Sequence, residues 1–283
     1  MRLDLKEVRY EAPLTQYLFT KASRGKIPLS GTFELSPVCN FSCRMCYVRM
    51  TPAQVAAHSR PAMTLERWLS LAEQARAAGM LYLLLTGGEP FLWPDFWPLY
   101  ERLTEMGFIL SINTNGSLID EAAVARLRAR PPTRLNITLY GAGDDTYRAL
   151  CRADGVFTRV DRAITRLREA GLQVKLNCSL TPHNAADLAA MVRYAQQRDL
   201  ILEVNTYMFP PMRRDPDQVG QNERFTPEEA ARYHMERYRL MYGEETYVNY
   251  LESVLQGIAD PLGLDESCVD PMDGHVRCRA GKA

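Results

Sequence analysis

Hydrophobic positions along this chain fall into short apolar runs separated by longer stretches of helical period. From Gly31 onward the runs read as strands: Thr32–Ser36, Leu81–Thr86, Phe108–Asn113, Leu135–Leu139, Leu172–Ser179 and Leu200–Asn205. The punctuation between them marks helices. Thr64 is placed to cap one through Ala78 with Gly79 as its stop, Asp95 caps another through Met106 before Gly107, and Asp120–Ala129 follows the Asn115-Gly116 turn. A further helix runs from about Val156 to Ala170 ahead of Gly171, and Asn184 caps the next. Thr226, with Pro227 at the first helical position and Glu229 at the third, opens a capping-box helix reaching about Met241. Strict alternation of strand and helix implies an α/β fold, a parallel sheet with helices outside. The near-continuous run Leu81–Leu85 fits a strand buried on both faces. The repeat stops short of the full closed barrel.

Composition narrows the class. At 283 residues, 46% hydrophobic and 24% charged, the chain has the balance of a globular protein of one large domain or two modest ones. Lys+Arg and Asp+Glu are equal at 34 each, so no global field recruits nucleic acid or a membrane. The N-terminus has no apolar signal core, and no run is long enough for a transmembrane helix. The seven cysteines are an odd number and three share one loop, which argues for a reducing compartment, the cytoplasm.

That loop carries the chemistry. Cys39-Asn-Phe-Ser-Cys43-Arg-Met-Cys46 spaces three thiols as C-x₃-C-x₂-C, with Tyr47 directly after them. Thiolates are the soft ligands of iron–sulfur clusters, and three of them leave one iron of a cubane open. A structural zinc site completed by a distant fourth ligand, or buried small hydrophobes, also fits the spacing. Next, the apolar strand Tyr82–Thr86 runs into Gly87-Gly88-Glu89-Pro90. The glycines permit close backbone approach to a ligand, Pro90 stiffens the exit, and Glu89 brings a carboxylate. Alone, this is an ordinary strand-to-loop turn.

Together, Cys39, Cys43, Cys46, Tyr47 and Gly87–Pro90 resemble the radical S-adenosylmethionine (SAM) superfamily, over roughly residues 30–206. The resemblance implies a partial (β/α)₆ TIM-like barrel. Residues 1–30 would precede it, 31–210 would form it, and 211–283 would be a helical extension, with a boundary near 208–227. It further implies a [4Fe–4S] cluster on Cys39, Cys43 and Cys46, with SAM chelated on the open iron. Gly87, Gly88, Glu89 and Pro90 would line the methionine end and Tyr47 would pack on the adenine. Asn113 and Asn115 lie in a segment resembling the TNG element of peptide-modifying relatives, though Asn-Gly is also a common turn. Thr138 stands where relatives place a serine facing SAM, and Tyr140 replaces their acidic residue. Arg152, or else Arg148, matches an arginine that pairs with the SAM carboxylate, and Asn177 matches a ribose contact.

Other residues read more plainly. Cys151 and Cys178 are isolated and expected as core filler. His58 and His183 sit beside turn residues and are expected to face solvent, while Met208 and Met212 border a proline turn. Cys278-Arg-Ala-Gly281, with Cys268 ahead of it, resembles the opening of a SPASM/twitch extension. In relatives that extension carries auxiliary iron–sulfur clusters, so the chain reads as a core with its auxiliary region missing or shortened. The implied activity is reductive cleavage of SAM to methionine and a 5′-deoxyadenosyl radical. A donor such as flavodoxin or ferredoxin would supply the electron, and a peptide or protein side chain would lose the hydrogen. A small-molecule substrate fits the core too, as does a non-catalytic iron–sulfur or zinc module, although Gly87–Pro90 has no use in the last.

Overall fold

The computed structural model describes residues 13–57, 62–207 and 224–259. Six strands pair in chain order into one open, all-parallel sheet. They are β1 (Ser30–Glu34), β2 (Tyr82–Thr86), β3 (Ile109–Thr114), β4 (Arg134–Thr138), β5 (Val174–Ser179) and β6 (Ile201–Asn205). Every expected strand is present, with its ends moved slightly.

The helices are α1 (Pro13–Gly25), α2 (Pro52–Ala56), α3 (Leu65–Ala77), α4 (Phe96–Glu105), α5 (Glu121–Ala129), α6 (Asp144–Cys151), α7 (Val156–Glu169), α8 (Leu188–Gln197), α9 (Pro227–Tyr242) and α10 (Glu244–Ala259). Alternation is therefore not strict: α2 and α3 both lie between β1 and β2, and α6 and α7 between β4 and β5. Helices as short as α2 and α6 show too little of the 3.6-residue period to be read. What makes α6 a helix is tertiary, because Tyr147, Leu150 and Cys151 bury one face of an otherwise polar segment.

The caps expected at Thr64 and Thr226 form, and Asp120, where the sequence starts a helix, caps as well. Thr64 Oγ1 accepts from Arg67 N at 3.4 Å and Asp120 Oδ1 from Ala123 N at 2.8 Å. Thr226 Oγ1 accepts from Glu229 N at 3.2 Å while the Glu229 carboxylate accepts from Thr226 N at 2.9 Å. Thr226→Ala should therefore lower the unfolding free energy by about 1 kcal/mol in urea titrations. Asp95 makes no such bond, and Asn184 is used otherwise, as described below.

One face of the sheet is apolar and sealed. Phe33, Leu83, Leu85, Leu110, Ile112, Leu135, Ile137, Leu176 and Val204 are all buried there, packed with Leu99, Leu127, Ile164 and Met191 from the helices. Trp68 of α3 packs its ring at a tilt against Phe33, centroids 4.7 Å apart. The opposite face is only half-buried and largely polar. Tyr82 and Leu84 stand there with Ser111, Asn113, Thr138 and Asn177, so β2 is not buried on both sides. With six strands the sheet does not close, and its inner face stays open to a ligand. At the β6 edge, Arg237 of α9 donates to the Val204 carbonyl.

Candidate metal and cofactor site

In a parallel sheet entered from one side, every strand's carboxyl end lies at the same edge, and the loops that follow collect there. The cysteine loop follows β1. Gly88 N donates to Ser36 O at 2.7 Å and Glu89 N to Val38 O at 3.0 Å, which joins the loop's entry to the Gly87–Pro90 segment. Its far side is held by α6. Ser42 N bonds Cys151 O and Arg44 N bonds Leu150 O, both at 3.0 Å, and Arg44 Nε bonds Ala149 O at 2.9 Å. Carbonyls that a helix end leaves without partners are thus taken by the cysteine loop. Arg152 then closes α6 in the left-handed region, at φ 53°.

The glycines serve this junction. A Cβ on Gly87, whose φ is +141°, would stand 2.5 Å from Ser36 O. One on Gly88 would stand 2.3 Å from Val38 O and 2.7 Å from Pro37 O. The backbone that needs the close approach is the protein's own, at the entry to Cys39.

Each thiol has donors around it. Cys39 Sγ accepts from Phe41 N at 3.4 Å and faces Asn115 Nδ2 at 3.8 Å, while Cys46 Sγ accepts from Arg49 N at 3.3 Å. Cys43 is almost fully buried. The neighbouring Cys151 side chain, more than any other group, draws the Cys43 thiol below its usual range. Burial pushes Cys39 up to about 12 and Cys46 upward as well. Those two stay protonated until a cation is present to share their charge. Among the described residues no three His, Cys, Asp or Glu side chains close on a single-ion site. A cubane takes each thiolate on its own iron and makes no such demand.

Glu89 is fully buried and committed to the fold. Its Oε1 accepts from Thr114 Oγ1 at 2.8 Å and Phe91 N at 3.2 Å, and its Oε2 from Asn115 N at 2.8 Å. Burial lifts its pKa to about 7, against the pull of those three donors. An unfolded glutamate titrates at 4.5, so between pH 4.5 and 7 the folded protein keeps a proton that the unfolded chain has lost. Stability from this group is complete below that window and declines as pH rises through it. In the cluster-free protein the unfolding free energy should fall by up to about 1.4 kcal/mol per pH unit there, and Glu89→Gln should flatten the slope in denaturant titrations.

The open inner face continues the site. Strand register puts Asn113, Asn136 and Lys175 in one row and Thr138, Asn177 and Glu203 in the next. Asn136 Nδ2 donates to Asn113 Oδ1 at 2.8 Å, and Lys175 pairs with Glu203. Asn136 Oδ1 and Asn177 Oδ1 are buried acceptors with no donor in the protein. Strand alternation groups Asn136 with Thr138, a signal in the sequence for a residue that belongs to no motif.

The remaining expectations divide. Tyr47 stands 54% exposed at the loop's rim. Arg152 lines a cavity of about 150 Å³ with Cys43, Cys46, Arg44 and Arg49, while Arg148 is held by Asp145 and Asp154. Cys178 is core filler against Met191, and Cys151 is likewise fully buried in the core. His183 is half-buried rather than solvent-facing. His58, Met208, Met212, Cys268 and Cys278 lie outside the described residues. Asn184 and Asp187 were missed. Asn184 Nδ2 bonds Tyr140 O at 3.0 Å and Ser179 O at 3.2 Å, and Asp187 accepts from Ala142 N and Thr146 Oγ1 at 2.8 and 2.6 Å. Both fix the turn after β4.

Three soft thiols on one anchored loop suit an iron–sulfur cluster. The orphaned oxygens of Asn136 and Asn177 suit the hydroxyl groups of a polar ligand on the inner face. The fold and this site define an open half-barrel with a three-thiol loop at the carboxyl edge of its parallel sheet. A profile of the Radical SAM superfamily matches residues 33–195, and the chain belongs to that superfamily. It is 25% identical over 183 residues to the AdoMet-dependent heme synthase of Methanosarcina barkeri, which covers 65% of this chain and 51% of that one. It is 26% identical over 178 residues to mycofactocin maturase MftC of Mycobacterium ulcerans, covering 62% and 47%. The chain spans about half the length of these curated relatives. Streptococcus suis SuiB bound to precursor peptide SuiA shares the fold, with TM-score 0.62 and 17% identity over 80% of this chain and 50% of SuiB. Among the described residues no helix is long and apolar enough to cross a membrane.

Proposed function

We propose that this protein holds a [4Fe–4S] cluster on Cys39, Cys43 and Cys46, binds SAM beside it, and modifies a peptide or protein side chain. The observation that carries the reading is the backbone junction of the three-thiol loop with Gly88 and Glu89 at the carboxyl edge of an open half-barrel. When bound, the cluster and SAM supply one-electron cleavage to methionine and a hydrogen-abstracting 5′-deoxyadenosyl radical.

The chain's own part is binding and orientation. Because the Glu89 carboxylate is occupied by internal donors, contact with the methionine end of SAM falls to the carbonyls of Gly87, Gly88 and their neighbours. Asn115 braces Cys39 from just past the strand that carries Asn113. Tyr47 covers the adenine, Thr138 faces the cofactor, Asn177 and Asn136 accept from the ribose hydroxyls, and Arg152 pairs with the carboxylate. Flavodoxin or ferredoxin delivers the electron. Auxiliary iron–sulfur clusters in a longer form, with Cys268 and Cys278 at the opening of the region that would carry them, belong to the same reading.

The peptide substrate is supported by the maturase among the relatives. A small-molecule substrate is the second reading, favoured by the heme synthase at similar identity. Anaerobic reconstitution with iron and sulfide, then dithionite and SAM, should yield 5′-deoxyadenosine. A cluster-loaded sample that yields none would leave a metal-binding module. Stimulation of that yield by a dialysis-retained, protease-sensitive fraction favours the peptide; stimulation by the dialysable fraction favours the small molecule.

A further inference from the structure

The inner face of the sheet is hollow ahead of the rows that carry Asn113, Asn136, Thr138 and Asn177. Register sets Leu84, Ser111 and Arg134 side by side, with Tyr82 and Ile109 one row nearer the amino ends of the strands. These rows line a cavity of about 670 Å³, within the range of about 300–1,000 Å³ usual for ligand sites. Its walls divide by chemistry. Phe19 of α1 stacks on Tyr82, with centroids 6.0 Å apart and rings 14° from parallel, and Leu84 and the exposed Ile109 extend this apolar side. Ser111 and Arg134 make the polar side. Among the described residues, Arg134 is the one charged side chain lining the cavity, and its guanidinium has no ion-pair partner. Lys175, one row further on, is neutralised by Glu203.

We propose that this cavity is the substrate chamber, and that it takes a carboxylate joined to an apolar body. The planar guanidinium of Arg134 matches the two oxygens of a carboxylate, and the Ser111 hydroxyl beside it is a further donor. The apolar body covers Leu84, Ile109 and the Phe19–Tyr82 stack, surface that water otherwise wets. A neutral ligand of the same shape gains that burial but leaves the Arg134 charge unanswered, so charge sets the preference. Position supports the role. Asn113 and Asn136 follow Ser111 and Arg134 by two residues on β3 and β4, about 7 Å along the strands. A ligand held here lies directly beside the face assigned to SAM. The role of chamber rests on that assignment; the affinity for a carboxylate does not.

The test is isothermal titration calorimetry on the full chain, reconstituted with iron and sulfide and supplied with SAM but no reductant, so that nothing turns over. Two pairs of probes serve: 3-phenylpropionate against 3-phenylpropionamide, and the doubly blocked peptide acetyl-Leu-Glu-Leu-amide against its glutamine counterpart. In at least one pair the acid should bind about 10-fold or more tightly than the amide, and Arg134→Gln should erase that difference. Arg134→Lys, which keeps the charge but not the fork, should retain part of it. Ile109→Trp, which fills the apolar side, should weaken acid and amide alike, with circular dichroism showing each variant folded. The pair with the larger preference assigns the carboxylate to a peptide side chain or to a free small acid. Equal binding of acid and amide in both pairs, a preference that survives Arg134→Gln, or no binding by any probe would overturn the proposal. Carboxylate binding kept by a sample that forms no 5′-deoxyadenosine with dithionite would instead overturn the radical reading and leave a carboxylate site.

Discussion

Cys43→Ser should emerge from anaerobic reconstitution without its iron and with 5′-deoxyadenosine formation reduced by more than about 100-fold. Losing a mere outer partner of a metal ligand already costs about 10–100-fold. A hydroxyl is a poor substitute for a soft thiolate on iron. Cys43 is also the most enclosed of the three, almost fully buried between Phe41, Tyr140 and α6, so solvent or a neighbouring side chain cannot readily take its place. Cys178→Ala is the matched control, a buried cysteine packed on Met191 away from the loop, and it should keep its iron. Circular dichroism should show both variants folded. A Cys43→Ser protein that retains full iron and turnover would remove Cys43 from the ligand set.

Gly88→Ala should destabilise the protein by about 3 kcal/mol or more and lower its iron content as well, read by thermal unfolding and iron analysis. The added methyl would lie 2.3 Å from Val38 O and 2.7 Å from Pro37 O. Both obstacles are backbone, on a segment fixed by the bond from Glu89 N to Val38 O and by Met50 N on Pro37 O at 2.9 Å. Neither can rotate away as a side chain would, so the loop must shift, and Cys39 shifts with it. Gly107→Ala makes the contrast. Its φ is +84° but nothing stands within 4 Å of the added carbon, so it carries only the conformational strain. Iron retention should separate the two variants even where their stabilities approach each other.

Much of the fold was legible because its signals are local. Alternation located all six strands, and Thr64, Asp120 and Thr226 announced their helices through bonds made within one turn. The three-thiol spacing and Gly87–Pro90 were legible because the ligand set and the turn each occupy a few consecutive residues. Asp95 and Asn184 show the limit. Both stand where a cap belongs, yet Asp95 makes no cap bond and Asn184 spends its amide on Tyr140 and Ser179.

What the sequence by itself determined is the element order, the parallel α/β class and the cluster loop with its companion turn. Each follows from periodicity or fixed spacing, which act over neighbouring residues. Only the tertiary structure decided that the Gly87–Gly88 backbone closes on Ser36–Val38, that Glu89 is spent on Thr114 and Asn115, and that α6 lends its terminal carbonyls to the loop. It alone brought the Cys151 carbonyl to Ser42 N of the loop and set the Tyr140 ring against Phe41. These contacts join segments far apart in the chain. They exist because parallel strands bring their carboxyl ends to one edge, where buried polar groups must find partners in one another.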